Sequence, residues 1–207
     1  MKTILKSGLA AVLLAASATA SADWSANIGY VSEYIFRGIP QKTSSASGGI
    51  DYEAGGFYAG TWAADVGDGL EVDLYGGYGF DIGESVSLSV GFTGYYYTGD
   101  FDDTYQEINL GAGFGLLSLD VAIGEYDNFT GPTLDYSYYA LSIEKDGFSA
   151  TLGSFAQDFD GDYLQLGYDT TISEIDFGVA LIFANDDLVG DKEESLIFTI
   201  GKSFDLN

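Results

Sequence analysis

The chain contains no histidine and no cysteine. Disulfides, thiol nucleophiles, Cys/His metal sites and every catalytic arrangement that relies on histidine are excluded on that ground. Basic residues are scarce, 7 Lys and Arg against 32 Asp and Glu in 207 residues, for a net charge of −25. A field of that sign repels phosphate backbones, so no nucleic-acid partner is expected. There are two prolines beside 29 glycines. So much glycine argues against a helical bundle, because each costs a helix about 1 kcal/mol. No stretch reaches 18 consecutive apolar residues, so there is no candidate transmembrane helix, and a membrane location would require a closed barrel. What is abundant is apolar and aromatic: 46% hydrophobic residues, with 16 Tyr and 14 Phe. Such a chain can bury enough surface to fold.

Lys2 and Lys6 precede an apolar run from Gly8 to Ala16, and Ala20-Ser21-Ala22 supplies small residues in an A-x-A pattern. This reads as a secretory signal over residues 1–22, too short to anchor in a bilayer. Its removal takes away two lysines and no acid, leaving 5 basic against 32 acidic side chains, a net charge of −27. Residues 23–207 then form one domain.

Alternation at period two runs through most of that domain, which predicts β-strands. From Ser25 to Phe36, Ala26, Ile28, Tyr30, Tyr34 and Phe36 share one face and Asn27, Gly29 and Glu33 the other. Similar splits occur over 70–80, 86–97, 105–114, 117–123, 163–172, 175–183 and 195–204, with weaker strands at 46–53, 57–66, 136–144 and 148–157. The total is about twelve, an even number, as in bacterial outer-membrane barrels; ten remains open if 46–53 and its neighbour form one broken hairpin. Connections sort by parity. The odd ones (37–45, 67–69, 98–104, 125–135, 158–162, 184–194) are mostly long and acidic, and the even ones (54–56, 81–85, 115–116, 145–147, 173–174) are short. That is the alternation of external loops and periplasmic turns.

A soluble β-sandwich would also alternate. Glycine on the polar face (among others Gly29, Gly77, Gly79, Gly91, Gly111, Gly113) and aromatics near strand ends on the apolar face (Tyr34, Phe36, Tyr78, Phe80, Phe183) favour the membrane barrel. The expected fold is therefore all-β, a transmembrane antiparallel up-and-down β-barrel.

Three blocks carry a family likeness: Val31-Ser32-Glu33-Tyr34-Ile35-Phe36-Arg37-Gly38-Ile39-Pro40-Gln41, then Gly48-Gly49-Ile50-Asp51-Tyr52-Glu53 with Gly56-Phe57-Tyr58-Ala59-Gly60-Thr61-Trp62, then Glu71-Val72-Asp73-Leu74-Tyr75-Gly76-Gly77-Tyr78. Over roughly residues 26–80 the chain resembles the TorF-family porins, also catalogued as conserved hypothetical bacterial proteins. The resemblance implies an outer-membrane barrel with a pore function and transfers no catalytic or binding residue.

By parity, Glu33, Asp51, Glu53, Glu71, Asp73, Glu107, Asp120, Asp169 and Asp176 face the lumen, with Arg37 near the outer mouth. Fixed negative charge along a watery channel favours cations. One arginine cannot neutralise nine acids, and bare buried carboxylates are costly, so the lumen is expected to be wet. Asp158, Asp160 and Asp162 around Gly161 resemble part of a calcium loop without its closing glutamate; an acidic turn is the plainer reading. Paired acids such as Asp51 and Glu53 match glycosidase spacing but lack a cleft, and no enzyme is expected. Lys202, on the apolar face, could snorkel to headgroups.

The expected function is a porin-like channel for passive diffusion of small solutes, cation-preferring, in the outer membrane of a Gram-negative bacterium. Its partners would be membrane lipid and small solutes or ions, without a resident cofactor and with homo-oligomerisation left open. The alternative is a closed barrel serving a structural or surface-interaction role, with acidic external loops able to bind calcium. The exported chain should begin at Asp23, which N-terminal sequencing of the outer-membrane fraction checks; a chain retaining Lys2 and Lys6 would contradict cleavage.

Overall fold

The computed structural model describes residues 22–206. Apart from Ala22, the expected signal segment lies outside the described residues. Twelve strands follow one another in chain order: β1 (Asp23–Phe36), β2 (Ile39–Ala54), β3 (Phe57–Gly67), β4 (Gly69–Ile82), β5 (Val86–Tyr97), β6 (Tyr105–Phe114), β7 (Leu117–Tyr126), β8 (Leu134–Lys145), β9 (Phe148–Gln157), β10 (Gly161–Ile172), β11 (Ile175–Ala184) and β12 (Glu193–Asp205). A one-turn helix, α1 (Asp186–Val189), sits between the last two. Every strand pairs antiparallel with its chain neighbours, and β1 pairs with β12, so the sheet closes on itself. Closure satisfies the edge hydrogen bonds that an open sheet would leave bare.

The twelve-strand count holds, and the ten-strand alternative does not. The segment expected as a short strand at 46–53 belongs to a 16-residue strand, β2. The five even connections are the tight turns anticipated, two or three residues each. The expected loop over 37–45 is the exception among the odd ones. Only Arg37 and Gly38 form the turn, and the rest of that stretch is strand.

The wall behaves as the alternation requires. Ile28, Leu141, Leu152 and Phe198 are at least half exposed on the outside (59%, 50%, 58% and 56%). An outer surface this apolar suits hydrocarbon rather than water. Aromatic pairs ring the short-turn end: Trp24 with Tyr52, Phe57 with Tyr78, and Phe148 with Tyr168, centroids 4.9, 4.7 and 4.7 Å apart. Tyr78 and Phe80 belong to this outer girdle as anticipated, and Lys202 lies over the Phe204 ring at 5.5 Å. Inside, small residues leave room for large ones. A Cβ on Gly77 or Gly91 would come within 2.4 or 2.3 Å of the Tyr58 hydroxyl.

Two aromatics expected in the outer girdle are not there. Tyr34 is 1% exposed, packed against Trp62, and Phe36 stacks edge-on with Tyr95. The cause is a change in the wall. β1 pairs with β12 only from Ser25 to Val31, and β2 with β3 only from Ser47 to Ala54. Beyond those limits, Glu33–Phe36 and Ile39–Thr43 pair only with each other. Released from the wall, this ribbon leans into the barrel, so both of its faces are interior and parity no longer distinguishes lipid from lumen.

Replacing Leu141, exposed on the outer face between Leu119 and Leu152, with arginine should destabilise the barrel by about 2–4 kcal/mol. The same change at Thr130, in the β7–β8 loop, should be near neutral. Denaturant unfolding in lipid vesicles compares the two.

Candidate functional site

The inward ribbon defines the site. At its tip, Arg37 (φ 49°) and Gly38 (φ 83°) both take positive φ, the requirement of the two-residue hairpin turn whose twist matches the strands. Glycine adopts this freely, whereas arginine does so at a cost, and such strain persists only where surrounding contacts hold it. Here they do. Gly38 is seated so closely that a Cβ would come within 2.8 Å of both Leu188 and Tyr163. Leu188 belongs to α1, which Asn185 caps by accepting from the Leu188 amide at 3.1 Å. Ile35 packs into a cluster with Tyr138, Phe155, Tyr163, Ile182 and Ile197, side chains from β8 to β12. The tip therefore crosses the lumen and meets the far wall.

Arg37 makes the farthest reach. Its guanidinium donates to both oxygens of Glu107 on β6, Nη1 to Oε2 at 2.8 Å and Nη2 to Oε1 at 2.7 Å. This two-pronged geometry is the strongest form of the pair. The guanidinium carbon lies 4.2 Å from the centroid of the Tyr138 ring and 4.8 Å from that of Phe36. Glu107 is 1% exposed and accepts three more bonds: from Tyr95 at 2.8 Å, Tyr136 at 2.9 Å and Asn109 at 2.7 Å. Thr93 in turn donates to Asn109 Oδ1 at 2.9 Å. Both oxygens of the carboxylate accept from Arg37, and the remaining donors are carried by β5, β6 and β8.

A second carboxylate is treated alike. Glu71, 3% exposed, accepts from Tyr34 at 2.5 Å and Tyr97 at 3.2 Å. Tyr34 rides on the ribbon, so the ribbon supplies one donor to each buried acid. Lys42 on its other strand is ion-paired with Asp65 at the rim. Close by on β4, Asp73 has one buried oxygen, Oδ1, without a hydrogen-bond partner.

Nine of the ten residues expected to line the pore fall into two tiers. Arg37, Glu71, Asp73 and Glu107 gather toward the long-loop end around the ribbon. Asp51, Glu53, Asp120, Asp169 and Asp176 lie toward the short turns, as their positions two to five residues from those turns require. Among these, Asp51 accepts from Tyr75 and from Asn27 at 3.3 Å, and Asp176 from Thr171 at 2.5 Å. Glu33 stands where the ribbon leaves the wall, paired with Thr43.

The expectation that these acids need water is corrected at Glu71 and Glu107, where tyrosine hydroxyls, the Asn109 amide and one guanidinium replace it. The tyrosines were legible by extending the alternation. Tyr95 and Tyr97 continue the polar face of β5, Tyr136 and Tyr138 oppose the apolar Tyr139, and Tyr163 opposes Leu164. Of the three acids in the candidate calcium loop, Asp158 accepts from the Asp135 amide and Asp160 from the Gly161 amide, at 2.9 and 2.8 Å. Asp162 projects to the exposed side, and no group of three acidic side chains among the described residues is placed to hold a metal ion.

Glu107 is fixed to the wall, so Arg37→Ala leaves a buried carboxylate without its cation. The expected cost is about 3–5 kcal/mol, most of it recovered in the double variant R37A/E107Q. Unfolding by denaturant in detergent measures the cycle; additive effects would show that the pair is not coupled.

The chain is similar to several solved structures. A membrane protein from a study of in-meso crystallization has a TM-score of 0.57 at 10% identity, over 89% of this chain and 84% of that one. The outer membrane protein OprD from Pseudomonas aeruginosa gives 0.44 at 11% identity, over 89% of this chain and 66% of that one. A BenF-like porin from Pseudomonas fluorescens Pf-5 gives 0.41 at 9%, over 80% and 56%. No curated protein matches in sequence. A family model described as a bacterial protein of unknown function, Gcw_chp, matches residues 15–193. That match runs from ahead of β1 to the first residue of β12 and takes in the whole Arg37 ribbon, and the chain belongs to the Gcw_chp family.

Proposed function

We propose that this protein is an outer-membrane channel for the passive diffusion of small solutes, the pore function that its resemblance to the TorF-family porins implies, and that its lumen acids give it a preference for cations. The observation that carries this reading is the polarity of the closed wall: apolar side chains outside, carboxylates and small residues inside. A barrel built this way is stable in lipid and lined for water-soluble traffic. The segment 1–22 would direct export in a Gram-negative cell, the long loops would face outward, and both ends of the barrel domain would lie at the periplasmic side. In the lower tier, Asp51, Glu53, Asp120, Asp169 and Asp176 face the lumen toward the short turns, and their field favours cations over anions.

The ribbon gives a second reading its support. Ile35 and Phe36 fill lumen cross-section that a wide pore would leave to water, which suits a closed barrel with a structural or surface role. Planar-bilayer recording of the refolded mature protein across a KCl gradient separates the two. The channel reading expects discrete steps with a reversal potential of cation sign, shifted toward zero by Asp51→Asn with Asp169→Asn. Absence of steps from folded, inserted protein, even with residues 33–43 replaced by a two-residue turn, overturns it.

A further inference from the structure

The environment of Arg37 is a complete receptor for a guanidinium, and nearly all of it is built on the wall rather than on the ribbon. Glu107 offers both oxygens to the two terminal nitrogens at 2.7 and 2.8 Å. Tyr138 supplies an aromatic face at 4.2 Å. Tyr95, Tyr136 and Asn109 hold the carboxylate in place through three further bonds. β5, β6 and β8 carry these side chains, whereas the guanidinium arrives on a ribbon that has left its wall neighbours and turns at a positive-φ arginine. Carboxylate forks and aromatic faces together select planar organic cations over hydrated metal ions.

We propose that Glu107, Tyr138 and their supporting residues form a binding site for guanidinium-bearing solutes, and that Arg37 occupies it as a built-in ligand keeping the ribbon in the lumen. A solute with the same head group competes with Arg37 for Glu107. Its binding removes the anchor at the ribbon's tip, and the ribbon can then withdraw toward the long loops. Because Arg37 is tethered, its effective concentration is on the order of mM or above, so the solute must reach that range to displace it. Selectivity thus follows from the head group of the solute and not from pore width alone. The inference names the solute class for the proposed channel and rests on that reading only for transport; the site itself stands on geometry.

Two measurements on the refolded mature barrel, its folding verified by heat-modifiable gel mobility, test it. In the first, N-ethylguanidinium is titrated calorimetrically into R37A, where the site is vacated. One binding event is expected, weakened at least about tenfold in R37A/E107Q by loss of the charge-assisted bonds. No binding to folded R37A, or equal binding to both variants, overturns the site. In the second, guanidinium chloride replaces KCl at constant ionic strength during bilayer recording of the wild-type protein. Open time should rise with guanidinium and show no such rise with sodium; an identical response to both cations overturns displacement. If R37A does not refold, the wild-type recording decides, together with retention of its guanidinium response in the loop control Thr130→Ser. Binding without conductance would keep the site and end the channel reading, and conductance without binding would do the reverse.

Discussion

Glu107 faces inward from β6 in a space where protein has replaced most of the water, and an ionised carboxylate there must find a cation and hydrogen-bond donors or force the structure apart. The chain has only 7 basic residues, and Arg37 is the one whose guanidinium reaches this carboxylate. To deliver it, β1 and β2 outgrow their neighbours, detach from the wall and cross the lumen. The strained turn at Arg37, the glycine at its tip, the one-turn helix over that glycine and the apolar packing of Ile35 all accompany this one ion pair. The interior of the barrel's upper half is organised around satisfying one charge.

The lower half follows a different rule. There the acids lie toward the short turns, and the hydrogen bonds to Asp51 and Asp176 come from a tyrosine, an asparagine and a threonine. The two tiers give the lumen a polarity along its axis, with the ribbon and its ion pair toward the long loops and a separate group of acids toward the short turns. On the outside, the apolar belt and the aromatic girdle set the position of the whole in a membrane, and closure of β1 on β12 removes the edge at which a twelve-stranded sheet would otherwise aggregate.

Tyrosine is the residue that lets such an acidic chain pack its own interior. A phenol hydroxyl donates to a carboxylate without adding net charge, while its ring fills space beside apolar neighbours. Tyr34, Tyr95, Tyr97 and Tyr136 do both. Arithmetic on charges alone predicts a flooded lumen because it counts only cations as partners for carboxylates. Including neutral donors changes the outcome at Glu71 and Glu107, the two acids that the structure buries most deeply.

The period-two pattern, with the parity of the connections and the placement of glycine and aromatics, pointed to the class of fold, to about twelve strands with ten left open, and to the facing of the wall residues, because alternation is a local property of an extended chain and a closed barrel holds one face against lipid throughout. It placed Glu71, Asp73 and Glu107 inside, and Leu110, Leu141 and Phe198 outside, correctly. Only the tertiary structure decided the course of residues 33–43. Their alternation continues past the point where β12 and β3 cease to pair with them, and once a ribbon has neighbours on both sides, parity carries no information about its environment. For the same reason the partnership of Arg37 with Glu107, 70 residues apart, had no signature in spacing. It exists because closure of the sheet brings β6 opposite the β1–β2 turn, and a long-range ion pair of that kind is a consequence of the completed barrel.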